Sequence, residues 1–158
     1  MRPNLLEALR SMSEAELYDA LYKDPLTGVL NRRAFAGALG EARAVALVDL
    51  DSLKWINDNW GHRAGDQALQ VLADALVRSF GADWVFRVSG DEFAVMDGDA
   101  EQLTQRLLLL RGSVPGFSFG TGSDMAEADR DLRHDKAERE KSGHRAARGE
   151  RPKWDQPK

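Results

Sequence analysis

Cysteine is absent from the 158-residue chain. That excludes a disulfide framework, a thiol nucleophile and a thiolate metal site, and it suits the reducing cytoplasm, where we expect the protein to reside. No apolar run reaches the length of a signal peptide or a membrane span, because Glu7, Arg10 and Glu14 interrupt the leading leucines. Positive charge is not in excess either. Lys and Arg number 22 against 26 Asp and Glu, a formal net charge of -4, so no global basic field draws the chain to nucleic acid or anionic lipid. A polyanionic ligand would have to be held locally, with a metal ion beside it. Internal repeats and extended low-complexity runs are also missing, and the length suits one domain that buries a core without staples.

Among the residues that are present, Arg87-Val88-Ser89-Gly90-Asp91-Glu92-Phe93 carries the most chemistry. Apolar runs on both sides, Trp84 to Val88 and Phe93 to Met96, predict a hairpin with Ser89 to Glu92 at its tip. Two acids at an exposed tip suit a solvated turn as well as a ligand site, and only partners elsewhere decide between them. Ala44 to Leu50 is a nearly continuous apolar run, the pattern of a strand buried on both faces, and it ends in Asp49-Leu50-Asp51. Acids emerging from the C-terminal end of a strand are placed to meet a ligand.

The remaining elements follow from spacing and punctuation. Leu5, Leu6, Leu9 and Met12 predict a helix, and the capping-box pattern Ser13-Glu14-Ala15-Glu16 starts a second, which ends before Pro25. Residues 1–23 thus form a helical segment too short for a sensor domain. Its apolar stripe packs on the chain's own core or pairs with a partner helix. Asn31 is a candidate N-cap for a helix through Phe35 and Leu39, stopped by Gly40. Ser52 to Asn59 reads as helix, and Gly61 to Asp66 as a polar loop opening a long helix buried through Leu69, Leu72, Leu76 and Phe80. Leu103, Leu107 and Leu110 mark a helix ending near Gly112, and Phe117 to Gly120 a last short strand. From Ala126 the chain is densely charged, with Leu132 its only large aliphatic residue, which predicts a solvated helix and then a charged tail over 146–158. The body of the domain is expected over 24–145.

Neighbouring strands of one sheet would bring Asp49, Asp51, Asp91 and Glu92 within a few ångströms of one another. So many acids do not stay ionised together unaided, and a hard divalent cation is the usual resolution. Mg²⁺ in particular is held by one or two carboxylates plus phosphate oxygens, which is the equipment of phosphoryl transfer. The alternative is a set of strand-end acids facing water.

Asp24-Pro25-Leu26-Thr27-Gly28-Val29-Leu30-Asn31-Arg32-Arg33-Ala34-Phe35 resembles the opening signature of GGDEF domains, the diguanylate cyclase family. Asp49-Leu50-Asp51, Lys54, Ile56-Asn57-Asp58, Gly61-His62 and Gly65-Asp66 are similar to that family's second block with its spacing kept, and Ser89-Gly90-Asp91-Glu92-Phe93 stands where its name-giving motif does. The resemblance is collinear from about Asp24 to Met96. It implies an α+β fold with a palm-like, mostly antiparallel central sheet flanked by helices. It also implies condensation of two GTP into cyclic di-GMP with release of pyrophosphate, by Mg²⁺-assisted (or Mn²⁺-assisted) attack of a ribose 3′-hydroxyl on an α-phosphate. A homodimer would do this, each domain presenting one GTP to the other.

Carried over by position, Asp49, the Leu50 carbonyl, Asp91 and Glu92 would hold the metal, with Asp91 also the candidate base for the 3′-hydroxyl. Lys54 and Lys136 would meet phosphate oxygens, the Ser89-Gly90 backbone would approach them closely, and Asn57 and Asp66 would read the guanine edge. A carboxylate accepts from the guanine N1 and N2 donors, a pair that adenine lacks. Beside these roles stand plainer ones: a helix-face amide for Asn57, an early-turn acid favoured by the helix dipole for Asp66, a solvated charge for Lys54 and a loop imidazole for His62.

Four departures from the family pattern matter. Ser89 replaces the first glycine of the motif, which is expected to restrict positive φ at a tight turn and reduce access for phosphate. The Arg-x-x-Asp of the family's inhibitory product site reads Phe80-Gly81-Ala82-Asp83, so inhibition by that route is not expected. Between Met96 and Phe117 there is room for one helix but hardly for the family's extra strands. In the C-terminal segment Arg133 takes a Tyr position and Glu140 stands where an Arg is expected four residues after Lys136, while Lys141 and Arg145 repeat that spacing in a shifted register. These departures keep two other functions open. One is a catalytically degenerate module that binds GTP or a cyclic dinucleotide and reports to an upstream sensor or an effector protein. The other is a palm-fold cyclase making another nucleotide product, although Asp66 argues for guanine.

Overall fold

The structure, a computed structural model, describes residues 2–143. The chain opens with α1 (Pro3–Ser11) and α2 (Glu14–Tyr22). Ser13 caps α2 as a full capping box: its Oγ accepts from Glu16 N at 3.2 Å, and Glu16 Oε2 accepts from Ser13 N at 2.7 Å. Leu5, Leu9 and Leu21 of this leading pair stay exposed, and α2 buries no residue. The pair is tied to the domain at its C-terminal end, where Asn31 Nδ2 donates to the Leu21 carbonyl at 2.9 Å and Lys23 bridges to Leu30.

Five strands form one sheet in the order β1-β3-β4-β2-β5. They are β1 (Leu30–Asn31), β2 (Ala44–Leu50), β3 (Val85–Arg87), β4 (Glu92–Asp97) and β5 (Phe117–Gly122). Only β1 and β3 are parallel; the other pairs are antiparallel, so the sheet is the mostly antiparallel, palm-like one the sequence predicts. The helices after α2 are α3 (Arg32–Ala38), α4 (Leu53–Trp60), α5 (His62–Phe80), α6 (Ala100–Leu110) and α7 (Met125–Lys141). Asn31 caps α3 as expected, its Oδ1 accepting from Ala34 N at 3.1 Å.

Successive side chains of a strand point to opposite faces, and β2 puts that rule to use on both. Ala44, Ala46, Val48 and Leu50 enter the core formed with Leu69, Leu72 and Leu76 of α5 and Leu103 and Leu107 of α6. Val45 and Leu47 enter a second core with Phe35 of α3, Phe86, and Ala128 and Leu132 of α7. None of the described helices is long and apolar enough to cross a membrane.

Two expectations are corrected. Gly61 to Asp66 is not a loop, because Gly61 at φ 89° ends α4 and starts α5 within a single residue. The densely charged segment is a helix over 125–141, as expected, but it is docked on the sheet and not solvated. Gly120 and Gly122 make room for it: a Cβ at Gly122 would stand 2.7 Å from Ala128 N, so the backbone of α7 lies directly on β5. Its acids have partners too. As an edge strand β5 presents unpaired N–H groups, and Asp131 and Asp135 accept from Thr121 N at 2.8 Å and Phe119 N at 2.9 Å. Arg145 and the tail 146–158 lie outside the described residues.

Candidate nucleotide site

The alternation that buries Val45 and Leu47 toward α7 places Asp49 on the same face, two residues further along β2. Across the ladder its partner is Glu92, on the matching face of β4. Asp49 is buried and Glu92 half-buried. Burial, followed by the negative charge of Asp49, pushes the Glu92 carboxyl above its ordinary value, while the ammonium of Lys136 works the other way. Lys136 Nζ reaches from α7 to 2.8 Å from Asp49 Oδ2. The hairpin tip is fastened to this cluster by backbone, as Leu50 N donates to the Asp91 carbonyl at 2.8 Å. The carboxylate of Asp91 adds to the negative field at Glu92.

Two carboxylates at matching register, one of them driven toward its acid form partly by the other, are the donor chemistry of a hard divalent cation. Among the described residues no three carboxylate or imidazole groups converge, so Asp49, Asp51, Asp91 and Glu92 are not gathered into the single cluster the sequence leads us to expect. That donor count suits a cation whose shell is completed by substrate oxygens, and the residues present fit Mg²⁺ on those terms.

The tip itself is braced by Arg87. Its Nη2 donates to the Gly90 carbonyl at 2.7 Å, and its Nη1 to Asp24 Oδ1 and Oδ2 at 3.2 and 3.1 Å. Asp24 also accepts from Thr27 N at 2.9 Å and Thr27 Oγ1 at 2.7 Å. Burial opposes the charge on Asp24, but these Thr27 and Arg87 contacts outweigh it and hold the carboxyl below its ordinary value. The first residue of the opening signature and the hairpin motif are therefore one hydrogen-bonded unit.

Ser89 carries no penalty in φ, contrary to expectation. Among the described non-glycine residues the left-handed region holds only Ser52, at φ 60° where β2 turns into α4. Ser89 and Gly90 are exposed, and a Cβ at Gly90 would meet nothing within 4 Å, so the ground above the tip is open.

On the α4–α5 side, Lys54 is exposed, Asn57 half-buried, and Asp66 exposed in the first turns of α5. Sequence reasoning gives Gly65 no role of its own. In the structure it seats Asn57: a Cβ there would collide with Asn57 Oδ1 and stand 2.9 Å from its Cγ. The Asn57 amide thus lies close against α5 at Gly65, next to Asp66 in sequence. His62 is exposed at the start of α5.

Of the two registers on α7, the described residues bring Lys136 to Asp49 while Lys141 stays on its own helix; Arg145 of the shifted register lies outside the described residues. Arg133 is exposed and pairs with Asp129 on its own helix, Glu140 is exposed, and Lys141 pairs with Glu138 at 3.2 Å. The second inward base is Arg139, which sequence reasoning did not single out. Its Nη2 and Nε donate to Asp51 Oδ2 at 2.8 and 3.2 Å, while Ser118 Oγ donates to Asp51 Oδ1 at 2.7 Å.

The family model described as diguanylate cyclase, GGDEF domain, matches residues 21–109 of this chain. The chain belongs to the GGDEF family. It is similar to diguanylate cyclase DosC of Escherichia coli K12, at 35% identity over 111 residues that cover 62% of this chain and 24% of that protein. It is also similar to the cyclic di-GMP phosphodiesterase NbdA of Pseudomonas aeruginosa, at 36% identity over 124 residues that cover 68% and 16%. Among solved structures, a microbial GGDEF domain studied for its interaction with bis-(3′,5′)-cyclic di-GMP matches with a TM-score of 0.58 and 32% identity, over 82% of this chain and 96% of that one. This GGDEF chain spans about a quarter or less of the length of the curated relatives it matches.

Proposed function

We propose that this GGDEF domain is a diguanylate cyclase of the cytoplasm, active as a homodimer in which each domain presents one GTP to the other. The observation that carries the reading is the cross-strand pair Asp49 and Glu92 with Lys136 laid on it from α7.

In this reading Asp66 accepts from the guanine N1 and N2 donors, and the Asn57 amide, seated against Gly65, contacts the same edge. Lys54 and Lys136 meet triphosphate oxygens, and the exposed Ser89-Gly90 backbone lies along the phosphates. Asp91 takes the proton of a ribose 3′-hydroxyl as that oxygen bonds to the α-phosphorus of the facing GTP. The bond between that phosphorus and the pyrophosphate oxygen breaks in line. Asp49, the Leu50 carbonyl, Asp91 and Glu92 would hold Mg²⁺ or Mn²⁺, which when bound supplies neutralising charge for the triphosphate and the departing pyrophosphate. Closing the ring repeats the step with the two nucleotides exchanged, which is why one domain with one GTP is not enough.

A second reading has one observation in its favour: Lys136 already neutralises Asp49. A domain resting in that state would bind GTP or a cyclic dinucleotide without turnover and report to a sensor or effector partner. Incubation with GTP or ATP and Mg²⁺, followed by assay of pyrophosphate, separates the two. The cyclase reading expects pyrophosphate from GTP, reduced roughly 10²–10⁴-fold by Asp91→Ala as a lost general base. No pyrophosphate from either nucleotide at high protein concentration would sink it, and tight GTP binding without turnover would favour the silent module.

A further inference from the structure

Two ion pairs join α7 to the end of β2, and they are not alike. Lys136 and Arg139 are one helical turn apart and so share a face of α7; Asp49 and Asp51 are two apart at the strand end. The Lys136–Asp49 pair is open on one side, with the lysine side chain 30% exposed. The Arg139–Asp51 pair is closed, its side chains 14% and 2% exposed. Asp51 is held further by Ser118 Oγ from β5 and by its own N–H, which donates to the Gly116 carbonyl at 2.8 Å. Arg139 therefore places two N–H groups on one oxygen of a carboxylate whose other oxygen is held by Ser118, on a residue whose backbone is bonded as well. A partly exposed ammonium on a flexible stem can exchange partners, whereas a more enclosed guanidinium with two N–H groups on a buried carboxylate stays where it is.

We infer that Arg139 is a positioning residue. Through Asp51 it clamps the register of α7 on the strand end, so that Lys136 faces the Asp49–Glu92 pair and can pass to a triphosphate without α7 moving. The second half of this inference rests on the nucleotide reading above; the clamp does not.

Amide hydrogen exchange over residues 125–141 of the full chain, without nucleotide, reads the clamp directly. Arg139→Gln should speed exchange there at least tenfold, and Lys136→Met by less than about threefold; Arg139→Lys, which keeps the charge, should fall between them. Calorimetric titration with GTP and with guanosine reads the consequence. Arg139→Gln should weaken GTP about tenfold and leave guanosine unchanged, and adding Lys136→Met to it should cost little more, because both act on one contact. Unchanged exchange in Arg139→Gln would overturn the inference. So would equal losses of GTP and guanosine, the mark of general unfolding, or fully additive losses in the double variant. If the wild type binds no GTP while the exchange contrast holds, the clamp stands and the nucleotide reading is what fails.

Discussion

Lys136 Nζ stands 2.8 Å from Asp49 Oδ2, so a helix cation rests on the strand acid that faces Glu92 across the ladder. Without it the two carboxylates confront each other inside a largely buried face. Lys136→Met should therefore lower stability by only about 0.5 kcal/mol, as for a partly exposed pair. Millimolar Mg²⁺ should then raise the melting temperature of the variant by more than it raises that of the wild type, because the acids fit such a cation. Thermal unfolding with and without Mg²⁺ checks both signs.

Gly65 and Asn57 make a second coupled pair. A glycine-to-alanine change inside a helix ordinarily gains about 0.5–1 kcal/mol. Here the added methyl meets the Asn57 amide, so Gly65→Ala should instead cost about 1–3 kcal/mol. It should also raise the GTP KM about tenfold and narrow the preference for GTP over ATP. Combining it with Asn57→Ala should recover most of the stability, since the nearest collision partner is gone and only Leu53 Cδ1, at 3.0 Å, has still to give. Urea unfolding of the two single variants and the double variant tests this.

Asp24 sets a pH dependence. Its folded carboxyl titrates below its ordinary value, so its contribution is fully present above the unfolded value and is lost as pH falls through the folded one. The wild type should lose stability through that acid window, while Asp24→Asn should start about 1–2 kcal/mol lower at neutral pH and change less across it. Parallel stability curves for the two proteins would contradict the assignment.

Much of this was legible in the sequence because it was local. The capping box at Ser13, the cap at Asn31 and the two-faced burial of β2 each follow from a few neighbouring residues, and so does the hairpin around Gly90. What was not legible depends on distant contacts. The charge density of α7 signals solvent, yet its acids are spent on the edge of β5 and its docking surface is supplied by Gly120 and Gly122. Arg139 gains its meaning only from Asp51, 88 positions away. Ser89 looked strained because its motif position suggested positive φ, and the observed turn does not use it.

The edge itself gives a further expectation. Asp131→Ala with Asp135→Ala removes the acceptors for Thr121 N and Phe119 N. The Asp131 loss should cost about 1 kcal/mol and the Asp135 loss more, because it also removes the partner of Arg111, and the uncovered strand should self-associate at concentrations where the wild type does not. Light scattering alongside urea unfolding measures both effects.

The central claim is tested most directly by product stoichiometry: incubate the domain with GTP and Mg²⁺, identify the nucleotide product by mass, and count pyrophosphate against it. A diguanylate cyclase gives cyclic di-GMP with two pyrophosphates per product, and the rate per domain rises with protein concentration below the dimer constant. A linear or mixed product, or a rate strictly proportional to protein across that range, would contradict it.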